Sequence, residues 1–287
     1  MAFFAIIKTC QKPHAFSLLI KLVLISFFLS KQILAESFYD DDLEQVSFLS
    51  VSGSHYKASF KDFNEHIQKR NIDWAASGFH QDELDNDIDE RGIALGIGRG
   101  RSAYILGLSV LDKVSAPAVT PGWSGASEIS ARYLSFKYRY YFGKPRWSRE
   151  RYRNSKTKLF PFFESGLIWL SVKWTEDNFV YTCMTTGISH TGPSYAGDCF
   201  ALHIGGGLDY LLSENFFTTL TVGHNNAKIG KFQTKESFPC GCPSGTHVPY
   251  FDYDNDVKAS LDMSGVVIAL SFNMRLTTSK INKGLNF

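Results

Sequence analysis

The chain has 287 residues, with 30 basic and 28 acidic side chains and a formal net charge of +2, a balance that gives no grounds for a nucleic-acid-binding surface. Lys8, Lys12, Lys21 and Lys31 fall in the first thirty-five positions with no acidic residue among them, so the remainder carries 26 basic against 28 acidic residues. That remainder is the size of one domain, and its wealth of aromatic residues and glycine reads as all-β rather than helical.

Residues 1–35 have the plan of a cleaved secretory signal peptide. The lysines precede an apolar core, Leu22-Val-Leu-Ile-Ser-Phe-Phe-Leu29, and Ile33-Leu34-Ala35 offers a cleavage site ahead of Glu36. The uncharged run between Lys21 and Lys31 is well short of the ~20 residues of a spanning helix.

Beyond it, eight segments alternate apolar with polar or small residues, the period of an extended strand with two unlike faces. The first lies near Gln45–Gly53, with Val46 and Phe48 on one face. In the second, Gly92–Gly100, Ile93, Leu95 and Ile97 oppose Gly92, Ala94, Gly96 and Gly98. A tight turn at Gly100-Arg101 leads to the third, Ala103–Leu111, where Tyr104, Leu106, Leu108 and Val110 share a face. The fourth, Ala131–Phe142, sets Leu134, Phe136, Tyr138, Tyr140 and Phe142 against Tyr133, Ser135, Lys137, Arg139 and Tyr141. The fifth, Leu159–Val172, has Phe163, Leu167 and Trp169 opposite Phe162, Glu164 and Gly166. The sixth, Phe200–Leu212, is the clearest: Phe200, Leu202, Ile204, Leu208, Tyr210 and Leu212 on one side, Ala201, His203, Gly205, Gly207 and Asp209 on the other. Ser213-Glu-Asn215 turns into the seventh, with Phe216, Leu220 and Val222 opposing Thr219, Thr221 and Gly223. The eighth, Ala259–Leu276, carries Val266, Ile268, Leu270, Phe272 and Met274 and changes phase at Met263–Gly265, where a bulge or bend is expected.

The connections alternate as well. Long ones are expected after strands one, three, five and seven (54–90, 112–128, 174–198 and 226–257), very short ones after strands two and six, and an intermediate one, Gly143–Lys158, after strand four. Broad apolar faces opposed by small or charged ones fit a wall with hydrocarbon outside and polar groups inside, and long loops on one rim with short turns on the other complete the pattern of a membrane barrel. Closure leaves no unpaired strand edge in lipid. The expected fold is all-β: a closed antiparallel eight-stranded transmembrane β-barrel with long extracellular loops.

This alternation, the signal peptide and the loop asymmetry resemble the small eight-stranded outer-membrane proteins of Gram-negative bacteria, the outer membrane protein A and X type. The resemblance implies a fold more than a function. It places residues 36–276 in the barrel and 277–287 in a C-terminal tail, in the bacterial outer membrane. The partners it implies are outer-membrane lipid and lipopolysaccharide, and the barrel-assembly machinery. That machinery reads an aromatic C-terminal strand, for which Phe287 or the internal Gly265–Phe272 qualifies.

Parity puts Lys137, Arg139, Glu164, His203 and Asp209 on the inward face. Strands four and five are neighbours, so Glu164 can meet Lys137 or Arg139. A small barrel is filled by side chains, and buried charges there need partners. A structural ion-pair network is therefore preferred over a small conductance or a buried catalytic site. No catalytic, cofactor-binding or metal-binding residue is assigned, and no cofactor.

Cys183 and Cys199 in the third long loop and Cys240 and Cys242 in the fourth read as disulfides in an oxidising compartment. Two bridges tying loop three to loop four are favoured over Cys183–Cys199 with a strained Cys240–Cys242; a metal site has the wrong spacing for a zinc module. The acidic stretches Asp82–Glu90 and Asp252–Asp256 lack the glycine and downstream glutamate of a calcium loop, which favours a solvated rim, with divalent bridging to lipopolysaccharide phosphates as the sharper alternative. Phe60, Phe63 and Ile67 share a helical face, with Ser59 and Asp62 at its start, so a short amphipathic helix is expected in loop one, capping the barrel or lying at the membrane surface. The basic intermediate turn, Lys144 to Lys158, reads as solvated or as holding anionic headgroups.

Gly223-His-Asn-Asn-Ala227 faintly resembles the His-Ser-Asn-Ala region of lipid A deacylase, another small barrel, in which the histidine activates a serine; this chain has no serine there. The function favoured is structural or adhesive, with no enzymatic activity. The loop aromatics Trp174, Phe179, Tyr181, Tyr195, Tyr250, Phe251 and Tyr253 are expected to be exposed and to meet host or surface ligands. The alternatives are a lipid-modifying enzyme, a narrow channel and a soluble lipocalin-like carrier.

Overall fold

A computed structural model describes residues 45–143, 158–177, 180–182, 189–191, 194–234, 250–252 and 257–279. Eight long strands build it: β1 Gln45–Ala58, β2 Asp87–Arg99, β3 Ser102–Thr120, β4 Trp123–Tyr141, β5 Leu159–Asp177, β6 Ser194–Leu211, β7 Phe216–Asn226 and β8 Gly265–Ser279. Each pairs antiparallel with its neighbours in the chain, and β8 returns to β1, so the sheet closes into an eight-stranded barrel with no free edge among these strands. Residues 1–35, expected as a signal peptide, and most of the expected C-terminal tail lie outside the described residues, though β8 itself runs on to Ser279, into the stretch expected to be tail.

The outer surface carries a continuous apolar belt. Ile93, Leu95 and Ile97 on β2, Leu106, Leu108 and Val110 on β3, Phe163 and Trp169 on β5, Ile204, Leu208 and Tyr210 on β6, and Val266 to Leu276 at alternate positions on β8 all point away from the interior and are exposed. No soluble domain leaves so large a connected apolar surface open to water; this barrel is built for hydrocarbon, with its alternation turned outward. The reverse arrangement, a soluble carrier with a greasy interior, is excluded by the same parity.

Four strands rise well beyond the belt, and there the polarity of the alternation reverses. On β5 the outward residues pass from Phe163, Leu167 and Trp169 to Ser171, Lys173, Thr175 and Asp177. The inward residues pass from Glu164 to Ile168, Leu170, Val172 and Trp174, all buried. The expected long loop at 112–128 is instead the end of a β3–β4 hairpin, paired from Val114↔Ile129 to Thr120↔Trp123 and turning at Pro121-Gly122. Gly122 takes φ 85° there, a left-handed conformation that glycine adopts at no steric cost. Val114, Ala116 and Ala118 face in, and Ser115, Pro117 and Val119 face out.

At the opposite rim the turns at 100–101 and 212–215 are tight, as the sequence indicates. The phase change before β8 appears as a break at residues 263–264, and the only register shift in the β1–β8 ladder lies lower, at Ser47/Phe48. Near that rim Val46, Phe48, Ile105, Phe160, Phe162, Leu211 and Phe217 form an apolar plug. The tip of the Phe48 ring sits over Gly96, where an added Cβ would come within 2.0 Å of it. Gly96→Ala is expected to destabilise the barrel by about 1–3 kcal/mol through overpacking, measurable as a lower urea midpoint in detergent; an unchanged midpoint would show that the Phe48 ring is free to move.

Candidate functional site

The middle of the barrel interior holds a layer of charged and polar side chains set by the inward parity of β4 to β8. The structure brings Lys137, Arg139, Glu164, His203 and Asp209 together there. Arg139 donates from Nη2 to Glu164 Oε2 at 2.9 Å and from Nη1 to Asp209 Oδ1 at 3.1 Å. Its guanidinium also lies 3.7 Å from the centre of the Phe162 ring, a desolvated cation–π contact. Lys137 Nζ reaches Glu164 Oε1 at 3.3 Å. His203 is held on both sides, with Nε2 3.0 Å from Glu164 Oε1 and Nδ1 2.7 Å from Asn225 Oδ1. Gly223 leaves room for that imidazole, since an added Cβ would meet His203 Cε1 at 2.5 Å. Tyr141 and Thr219 each donate to Asp209 at 2.6 Å, and Asn273 donates to Thr219 at 2.9 Å.

Each of the two carboxylates therefore meets a cation at hydrogen-bonding distance, Glu164 with His203 beside it and Asp209 with two hydroxyls, the condition under which buried charge is tolerated. Asn225, Thr219 and Asn273 complete the layer and were not singled out from sequence. All three sit on the inward parity of β7 and β8, which is the signal that identifies them. Glu90, placed by sequence in an acidic loop, faces the interior from β2 and accepts a hydrogen bond from Tyr133. Beside it Tyr56, Tyr133 and Asn225 border a cavity of ≈ 10 Å³, room for about one water.

Above this layer an apolar seal closes the long-loop rim. Helix α1, Lys61–Asp73, buries Phe63, Asn64 and Ile67, and Phe63 and Ile67 join one cluster with Trp174, Tyr195, Ile229, Phe232 and Leu261. Phe63 meets Trp174 edge to face at 5.1 Å. Of the two expected sites for this helix, it takes the barrel mouth. Phe60, not Ser59, is the N-cap residue, while Asp62 accepts from Ser260 at 3.3 Å and pairs with Lys228 at 3.4 Å.

A second polar cluster pins the far end of α1. Glu176, fully buried, accepts from Ser127 Oγ at 2.9 Å and lies 3.5 Å from Arg70 Nη1. Arg70 also donates to Gln81 at 3.0 Å, and Gln81 donates to Ser127 at 2.8 Å. Burial raises the Glu176 carboxyl above the usual carboxylate range, with Arg70 and the Ser127 hydrogen bond opposing it. The docked cap therefore binds this proton more tightly than an undocked one. Its stabilisation is full below the ordinary glutamate value of ~4.3 and is lost as pH rises through the higher folded value. The α1 amides are expected to exchange more slowly near pH 5 than near pH 7.5, after correction for intrinsic rates. Glu176→Gln should flatten that difference. The variant separates Glu176 from His66, whose Nε2 lies 3.0 Å from Arg70 Nη2; an unflattened profile would assign the effect elsewhere.

Other sequence expectations fare differently. Cys199 is not a loop residue: it lies in β6 and packs against the upper cluster, while Cys183, Cys240 and Cys242 fall outside the described residues. Trp174 and Tyr195, expected as exposed recognition aromatics, are each 3% exposed and point inward, because they share the inward parity of Glu164 and His203, a face that becomes apolar above the belt. Asp87 and Asp89 belong to β2 and flank His55, at 3.3 and 3.4 Å. Among the described residues no group of acidic, histidine or cysteine side chains is placed to hold a metal ion. The basic run 144–157 lies outside the described residues. His224 points outward between Ile204 and Val266. Among the described residues it makes no hydrogen bond or ion pair.

No family model and no curated protein matches the chain. Among solved structures it is similar to Neisserial surface protein A, with 9% identity, a TM-score of 0.43, and coverage of 80% of this chain and 97% of that one. It is also similar to the outer membrane protein OprG of Pseudomonas aeruginosa, with 10% identity, a TM-score of 0.43 and coverage of 81% and 97%. The outer membrane protease OmpT of Escherichia coli aligns at 7% identity with a TM-score of 0.30, covering 83% and 98%. A functional reading therefore has to come from the chain's own residues.

Proposed function

We propose that this chain is an outer-membrane barrel that works as a sealed strut, with a structural or surface-recognition role carried by its long-loop rim. One observation bears most of the weight: the interior is occupied from rim to rim. The Phe48–Phe217 plug, the Arg139–Glu164–Asp209 layer and the α1 seal follow one another along the axis. Side chains that fill the lumen and satisfy one another leave the outer surfaces to meet partners. An apolar belt on closed strands suits the outer membrane, where bacterial barrels of this kind reside.

The upward extension of β3 to β6 lifts a wall with a polar exterior beyond the belt, and that wall supports recognition at the cell surface. Pairing among Cys183, Cys199, Cys240 and Cys242 belongs to the same reading, as an oxidising compartment favours it. Two intermolecularly silent bridges per chain are expected, seen as cross-linked peptides in a non-reducing digest; four alkylatable thiols in freshly isolated membranes would remove them.

Membrane fractionation with a heat-modifiable gel shift tests the location. Planar-bilayer recording tests the sealed interior. The reading expects a folded, heat-shifting barrel in the outer-membrane fraction that gives no conductance steps. Reproducible steps from that folded species would overturn the sealed strut in favour of a narrow channel.

A further inference from the structure

The upper edge of the belt carries two cations that the barrel itself does not neutralise. On the outer wall the apolar surface ends at Val110 on β3, Leu134 on β4, and Trp169 and Phe200 on β5 and β6. The next outward position on β4 is Arg132, between Val110 and Ser171, and two positions above Trp169 on the same face of β5 comes Ser171, then Lys173 opposite Ser130. Arg132 and Lys173 are thus diagonal cross-strand neighbours, within reach of one shared ligand for long side chains. Both are exposed, and neither makes an ion pair or side-chain hydrogen bond among the described residues. Their basic neighbours are already matched: Arg91 with Asp112 at 3.0 Å and Lys113 with Glu128 at 2.6 Å. Asp198, opposite Ser171 on β6, is the nearest outward acid by register and pairs with neither cation.

Height selects the ligand. Arg132 lies two residues above Leu134, roughly 7 Å along the strand, where hydrocarbon gives way to headgroups. Two like charges held side by side with the hydroxyls of Ser130 and Ser171 between them match a phosphate group, and the apolar edge below matches acyl chains. We infer that Arg132 and Lys173 form a binding site for the phosphate of an anionic lipid whose chains lie along Leu134, Trp169 and Phe200. The inference rests on the membrane-barrel reading above.

The test uses the full chain in neutral detergent micelles, with lipid binding followed by native mass spectrometry. Dioleoyl phosphatidic acid should bind more tightly than dioleoyl phosphatidylcholine. Arg132→Gln with Lys173→Gln should weaken phosphatidic acid binding by about fivefold per side chain removed at low salt, and leave phosphatidylcholine unchanged. The charge-preserving swap Arg132→Lys with Lys173→Arg should retain the preference. Equal binding of the two lipids by the native chain, or undiminished phosphatidic acid binding by the double glutamine variant, overturns the site. Inorganic phosphate in millimolar excess should not displace the lipid; displacement would assign the site to free phosphate instead. The heat-modifiable shift of each variant reports separately whether the barrel has formed, so loss of the shift in the native chain would count against the membrane barrel and not against the phosphate site alone.

Discussion

Replacing Arg139 by methionine is expected to destabilise the barrel by about 3–5 kcal/mol, the cost of leaving buried charge without its partner. The guanidinium touches both Glu164 and Asp209. Without it, Asp209 keeps only the hydroxyls of Tyr141 and Thr219, and Glu164 keeps Lys137 and His203. Truncation therefore strands a carboxylate inside a wall that faces hydrocarbon. The measurement is equilibrium unfolding in urea, in detergent or lipid, followed by the heat-modifiable shift. Adding Asp209→Asn to Arg139→Met should recover most of the loss, since Lys137 and Glu164 then remain as a matched pair and no carboxylate is stranded. A single Arg139→Met variant within about 1 kcal/mol of the native chain would contradict the geometry, because the layer would then be hydrated well enough to tolerate the vacancy.

Leu270→Arg is expected to cost about 2–4 kcal/mol, the penalty for a cation on the lipid face near the bilayer midplane. Leu270 is 60% exposed in the middle of the outward row of β8, with Val266 and Ile268 on one side and Phe272, Met274 and Leu276 on the other. The matched control is Val119→Arg. Val119 is also an exposed apolar residue, at 50%, but it lies on the β3 hairpin above the belt, where substitution should stay within about 0.5 kcal/mol. The two variants together locate the water boundary: similar costs at both positions would mean that the belt does not end where the alternation reverses.

Where apolar residues line the lipid face, the strands can be read from the sequence almost to the residue. The segment at 103–111 falls inside β3, and those at 92–100, 131–142 and 200–212 fall inside β2, β4 and β6 but for one residue at the end, since one face there is consistently greasy. The same parity gives the inward direction of Arg139, Glu164, His203 and Asp209. The upper wall is harder to read, for a physical reason. Above the belt water lies outside and an apolar core lies inside, so Val114, Ala116 and Ala118 turn inward and polar groups turn outward, and a search for outward apolar residues reads this stretch as loop. Trp174 and Tyr195 are misread for the same cause: an aromatic beyond the last greasy outward position suggests a tip, but its parity assigns it to the seal. Asn225 is hidden by its neighbour, since His224 draws attention to the motif while the inward Asn225 holds His203. Docking of α1 into the mouth could not be chosen from its pattern, because an apolar helical face fits a membrane surface equally well. The choice depends on Trp174 and Leu261, far away in sequence.

The charged lumen has a consequence for the chain before it folds. Because small, polar and charged residues interrupt the apolar ones all along the wall, no stretch of β2 to β8 offers the ~20 unbroken apolar residues at which an inner-membrane translocon halts and releases a helix sideways. A chain patterned this way can pass through one bilayer as a thread. It becomes oily only when its strands zip together, so the groups that fill the finished cylinder also keep the unfolded thread polar.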